Sequence, residues 1–142
     1  MKSYKNWSGE QRLEMFGQFK LLKKLKKLPK YIDLEGCCEM CGHTKTMPHA
    51  EEYGPTLFDY LKSIHILCVR CHSMIHLRFS YPKKWADYVI YIGKLRNNEV
   101  DRLKPLGHMG VLFQQCKYWK KEKTDYTPKK RGKWWEKLLI TK

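Results

Sequence analysis

The stretch "CVRCHSMIHLRF", Cys68 to Phe79, decides how the rest of this chain is read. Cys68 and Cys71 have the Cys-x-x-Cys spacing of a metal knuckle, and His72 follows at once, with His76 four residues further on. Positions i and i+4 lie one above the other on a helix face. His72 and His76 are therefore placed to chelate one ion, as a helical His-x-x-x-His does. Singly, each histidine reads as a core or helix-capping residue. As a pair directly behind a knuckle, they point to a second metal beside the first.

Upstream, Cys38-x-x-Cys41 supplies the matching knuckle, with 26 residues between the two. Four thiolates in a closed tetrahedron are the preferred structural zinc site. Cys38, Cys41, Cys68 and Cys71 are thus expected to hold Zn²⁺, with Cys37 a bystander and Cys116 a lone structural thiol. The opening residues, "MKSYKNWSGEQ", contain no apolar signal core. The expectation is a cytoplasmic protein with no membrane span, whose cysteines serve as ligands and not as disulfides.

Lys and Arg number 29 against 14 acidic residues over 142 positions, a net charge of +15. That excess implies a polyanionic partner. It is concentrated in the arms: net +5 in residues 1–35, +3 in 36–116 and +7 in 117–142. The expected organisation is α+β, with a basic helical arm over 1–35, a zinc-stabilised core over 36–80 and a helical, basic and aromatic extension over 81–142. Residues 8–28 read as a basic helix with a Ser8–Gln11 capping box, stopped by Pro29. Its apolar residues recur every three positions and wind around the helix. Part of that stripe is left for another element or a second subunit, so a homodimer is one expectation. "YPKKWADYVIYIGK" reads as a second helix, opening near Pro82 and ending at Gly93, with Trp85, Tyr88, Val89 and Ile92 on its core face.

Between the knuckles lies "TMPHAEEYGP", residues 46–55, followed by the strand-like "IHILC" and then "CHSMIH". In this order, the Cys-x-x-Cys knuckle, a strand carrying a histidine, a loop, a second strand and a His-x-x-x-His helix together resemble the HNH endonuclease family over about residues 37–79. The resemblance implies a ββα-metal core of two strands and a helix around one catalytic divalent ion. It implies that His49 is the general base that activates water. His72 and His76 would ligate Mg²⁺ or another divalent ion, as in the branch that includes the bacterial colicin DNases. The sequence departs from the family in two places. Pro48 stands where many members have a further ligand, and Glu51, on the side of His49, is the candidate substitute. Ser63 stands where the family has an Asn that holds the base-bearing loop, and a hydroxyl lacks the amide's paired set of hydrogen bonds. Tyr53 reads as packing, a phosphate contact or a stand-in base. His43 and His65 read as surface residues.

The implied partner is double-stranded DNA. Lys129, Lys130, Arg131 and Lys133 would neutralise phosphates, while Trp134 and Trp135 stack on DNA or pack on the core. Two functions compete on these residues: a metal-dependent HNH DNA endonuclease, and a non-catalytic zinc-knuckle DNA-binding protein. The surplus of ligands separates them, since four cysteines already satisfy zinc.

Overall fold

The computed structural model describes residues 4–102 and 133–138. Its elements are helix α1 (Gly9–Lys24), strand β1 (Met47–Ala50), helix α2 (Leu57–Lys62), strand β2 (Ile64–Leu67), helix α3 (Val69–Leu77), helix α4 (Pro82–Arg96) and a short 3-10 helix, Trp134–Leu138. Strands β1 and β2 pair as a two-stranded sheet. The chain is therefore mixed helix and small sheet, an α+β fold. It divides into two compact units, Met1–Leu34 with Pro48–His65, and Glu35–Met47 with Ile66–Lys142.

The first unit is built on α1. Ser8 caps it as expected: its hydroxyl accepts the Gln11 N–H while the Gln11 side chain accepts the Ser8 N–H, satisfying two orphan donors. The helix stops at Lys24 and not at Leu28, because Leu25 caps it and Lys26 turns into the left-handed region at φ 56. Phe19, with Met15, Phe16 and Leu22, faces a core of Tyr4, Ile32, Ala50, Tyr53, Tyr60, Leu61 and Ile64. Gly54 allows Trp7 to close over this unit. A Cβ there would meet the indole at 3.0 Å, tighter than most such contacts, so the ring would have to shift.

The second unit gathers its core around the four knuckle cysteines, with Met40, Leu67, Ile75, Trp85, Tyr88, Val89, Ile92, Leu95 and Trp135. Helix α4 starts at Pro82, where a missing N–H costs nothing. It runs through Gly93 to Arg96, three residues beyond the expected stop; nothing crowds Gly93, and Leu95 gains a buried position. Trp135 is buried in this core and is no stacking platform. No described helix is long and apolar enough to cross a membrane.

Candidate metal centres

In the second unit, the first knuckle is shaped by Gly42. At φ 78 it reverses the chain, so that its N–H reaches the Cys38 carbonyl at 2.9 Å and the Cys38 N–H reaches the His43 carbonyl at 2.8 Å. His43 is correspondingly buried, contrary to the surface position expected for it, and its Nδ1 accepts the Lys45 N–H at 2.9 Å. The second knuckle opens α3. Cys68 is the N-cap, and its sulfur accepts the Cys71 N–H at 3.4 Å, as Cys38 accepts from Cys41 at 3.5 Å. Backbone donors and a helix N-terminus both favour thiolate charge.

The four sulfurs lie within 4.8 Å of one another, all on buried residues, with Cys41 and Cys68 3.5 Å apart. Sulfurs at about 2.3 Å from one tetrahedral ion would be about 3.8 Å apart, so one metal fits among them. Burial, reinforced by the neighbouring cysteines, pushes the Cys71 thiol well above its ordinary range. Thiolates gathered this closely repel one another unless a cation sits among them. The Tyr88 hydroxyl lies 3.1 Å from Cys71 Sγ, and burial, then the Cys71 charge, keeps that phenol protonated as a donor.

Glu39, between the knuckle cysteines, is buried. Its Oε2 accepts the Ile66 N–H at 2.7 Å and its Oε1 accepts the Trp134 indole N–H at 3.1 Å. Arg96 donates to the Glu39 and Met40 carbonyls, and Arg102 to the Cys41 carbonyl at 2.6 Å. Burial lowers the pKa of Arg96, with the charges of Cys38, Glu136 and Cys41 working against it.

Directly after Cys71, the expected histidine pair converges. His72 Nε2 and His76 Nε2 are 3.0 Å apart, and Met47 Sδ lies 3.0 Å from His72 Nδ1. Two imidazoles at about 2.0–2.1 Å from one ion would place their nitrogens about 3 Å apart, so the pair fits a shared metal. Imidazole suits a first-row transition ion, whereas Mg²⁺ prefers oxygens.

In the first unit, His49 lies on β1, one residue before its end, and is 2% exposed. Its Nε2 is 2.6 Å from Glu51 Oε1. The same carboxylate accepts the Tyr4 hydroxyl at 2.8 Å and pairs with Lys5 at 3.0 Å, while Glu52 takes Lys5 at 2.7 Å and the Trp7 indole N–H at 3.1 Å. Burial works to lower the Lys5 pKa, but hydrogen bonds and charges from Glu52 and Glu51 outweigh it and raise the pKa. Glu51, the expected substitute ligand, thus stands as the partner of His49. Ser63 does more than one hydroxyl was expected to do. It accepts the Glu52 N–H at 3.0 Å and lies 2.9 Å from the Glu52 carbonyl and 2.8 Å from that of Tyr60, bridging both backbone groups of Glu52. Tyr53 is buried against Tyr60, and its hydroxyl accepts from Arg12 at 3.3 Å. His65 is buried as well, not on the surface as expected.

Lys133 is exposed, and Lys129, Lys130, Arg131, Cys116 and His108 fall outside the described residues. Sequence patterns gave no sign of Tyr4, Lys5, Arg96 or Arg102, which act across long separations. Glu39 and Gly42 were readable in principle, as the acid inside a knuckle and the glycine just after it. No family model, curated protein or solved structure matches this chain.

Proposed function

We propose that this protein is a metal-dependent DNA endonuclease of the HNH type, with a structural zinc held by Cys38, Cys41, Cys68 and Cys71. The observation that carries the reading is the His72–His76 pair, 3.0 Å apart on the helix that the second knuckle caps. Four sulfurs need no histidine to complete a structural site, so this pair serves another purpose. Its imidazole donors suit a transition-metal centre, and the resemblance to HNH enzymes adds His49 as the base that serves it. When bound to the pair, a divalent ion would neutralise the scissile phosphate and stabilise the leaving oxyanion.

His49 takes the proton from the attacking water. Glu51 Oε1 lies 2.6 Å from His49 Nε2, so the carboxylate orients the ring that serves as the base. The same carboxylate also offsets the positive charge that proton uptake places on the ring. Ser63 steadies the backbone of Glu52 just beyond, so the strand end that carries the base keeps its geometry. The partner is double-stranded DNA, approached through basic residues including Lys133.

The rival reading, a non-catalytic zinc-knuckle DNA-binding protein, draws on one observation: His49 is 2% exposed and paired with a carboxylate, as a structural histidine is. Incubation with supercoiled plasmid and Mn²⁺, Mg²⁺ or Zn²⁺, with and without EDTA, separates the two. The nuclease reading expects chelator-sensitive nicking. The rival expects retarded but intact plasmid in every lane.

A further inference from the structure

Helix α1 and its C-cap residue carry three leucines on the solvent side. Leu13 is 52% exposed, Leu21 56% and Leu25 52%, while the same helix buries Phe19 against its own core. Leu13, Gly17 and Leu21 follow one another at four-residue spacing, so they stack along one face. A Cβ added at Gly17 would meet nothing within 4 Å. Glycine weakens a helix interior relative to alanine, and among the described residues nothing requires it here. Gly17 therefore leaves an open notch between two exposed leucines.

Charges on this face are sorted along the helix. Glu10 and Glu14 lie in the N-terminal half, and Lys20 and Lys24 in the C-terminal half. We propose that this face docks a second copy of the chain, the two α1 helices crossing antiparallel about an axis midway between Gly17 and Leu21. That register seats Leu21 in the partner's Gly17 notch, Leu13 beside the partner's Leu25 and Glu14 beside the partner's Lys24. Each contact occurs twice by symmetry. A parallel pair would set Glu on Glu and Lys on Lys. An acidic helix would leave Glu10 and Glu14 facing like charge, and a DNA backbone would meet those carboxylates while the leucines stayed wet. A second copy, reversed, matches both halves. The seam is short, so association is weak and concentration-dependent. The inference stands apart from the nuclease reading.

Sedimentation equilibrium of the full chain tests it. The weight-average mass should climb from 17.1 kDa towards twice that value as concentration rises. Leu21→Lys should hold the protein at the monomer mass with unchanged helix content by circular dichroism, because Leu21 is mostly exposed in its own chain. Glu14→Lys or Lys24→Glu alone should weaken association about tenfold, by turning two attractive pairs into repulsive ones. The double variant Glu14→Lys/Lys24→Glu should restore it to near the original strength. A chain that stays monomeric at its highest soluble concentration overturns the proposal. So does a Leu21→Lys variant that dimerises normally, or a double variant as weak as the singles.

Discussion

Glu39→Ala removes a buried carboxylate that holds three parts of the second unit together. Two donors lose their acceptor: the Ile66 N–H at 2.7 Å, beside the second knuckle, and the Trp134 indole at 3.1 Å, on the 3-10 helix. Hydrogen bonds to a charged partner contribute about 1.5–3 kcal/mol each, so the gross loss is about 3–6 kcal/mol. Burying the carboxylate carries its own desolvation cost, which the variant no longer bears. The net loss should be about 2–4 kcal/mol, a large share of the roughly 5–15 kcal/mol that holds a domain folded. For a chain of this size, that lowers the melting midpoint by about 6–16 °C. Glu39→Gln keeps one acceptor and turns an amide N–H towards the other donor, so it should fall between the wild type and Glu39→Ala. Thermal unfolding in excess Zn²⁺, followed by circular dichroism and tryptophan fluorescence, provides the measurement. A Glu39→Ala midpoint within a degree of wild type would refute this bridging role of Glu39, and with it the contribution of its bond to Trp134.

Three further outcomes follow from the sites. His49→Ala should lower cleavage by about 10²–10⁴ while DNA affinity stays within a few-fold; normal nicking by this variant would pass the base role to another residue. Cys68→Ser should give unfolded or aggregated protein, since structural zinc supplies folding energy directly, whereas His76→Ala should stay folded and lose activity. Equal losses of thermal stability in both would assign the histidines to the structural site. Changing Lys129, Lys130, Arg131 and Lys133 to Gln should flatten the salt dependence of duplex affinity, by about 0.9 in log–log slope for each phosphate no longer neutralised. An unchanged slope would move the DNA track to the Lys23–Lys27 segment.

What the sequence disclosed followed the range of the interactions. The two knuckles, the His72–His76 pair and the Ser8 cap are written in spacings of three or four residues, and the structure brings those partners together. The end of α1 was not legible, because Lys26 adopts a left-handed backbone for which a lysine gives no warning. Gly93 read as a stop, yet a helix can carry a glycine when the next turn buries a residue such as Leu95. The surroundings of His49 were hidden for another reason. Tyr4 and Lys5 reach Glu51 from 47 and 46 positions away, and no periodicity encodes such a pairing. His43 was misplaced because the knuckle's reversal at Gly42, not the residue's polarity, decides its burial.

The central claim is that one chain carries two metal positions of different chemistry, a closed one of four sulfurs and an open one built on imidazoles. Counting ions bound per chain tests it most directly, by elemental analysis of protein saturated with Zn²⁺ and freed of loose ions, for the wild type and for His72→Ala/His76→Ala. The account predicts two ions in the wild type and one in the folded double variant. One ion in both would contradict it and leave a zinc-knuckle protein without a catalytic centre.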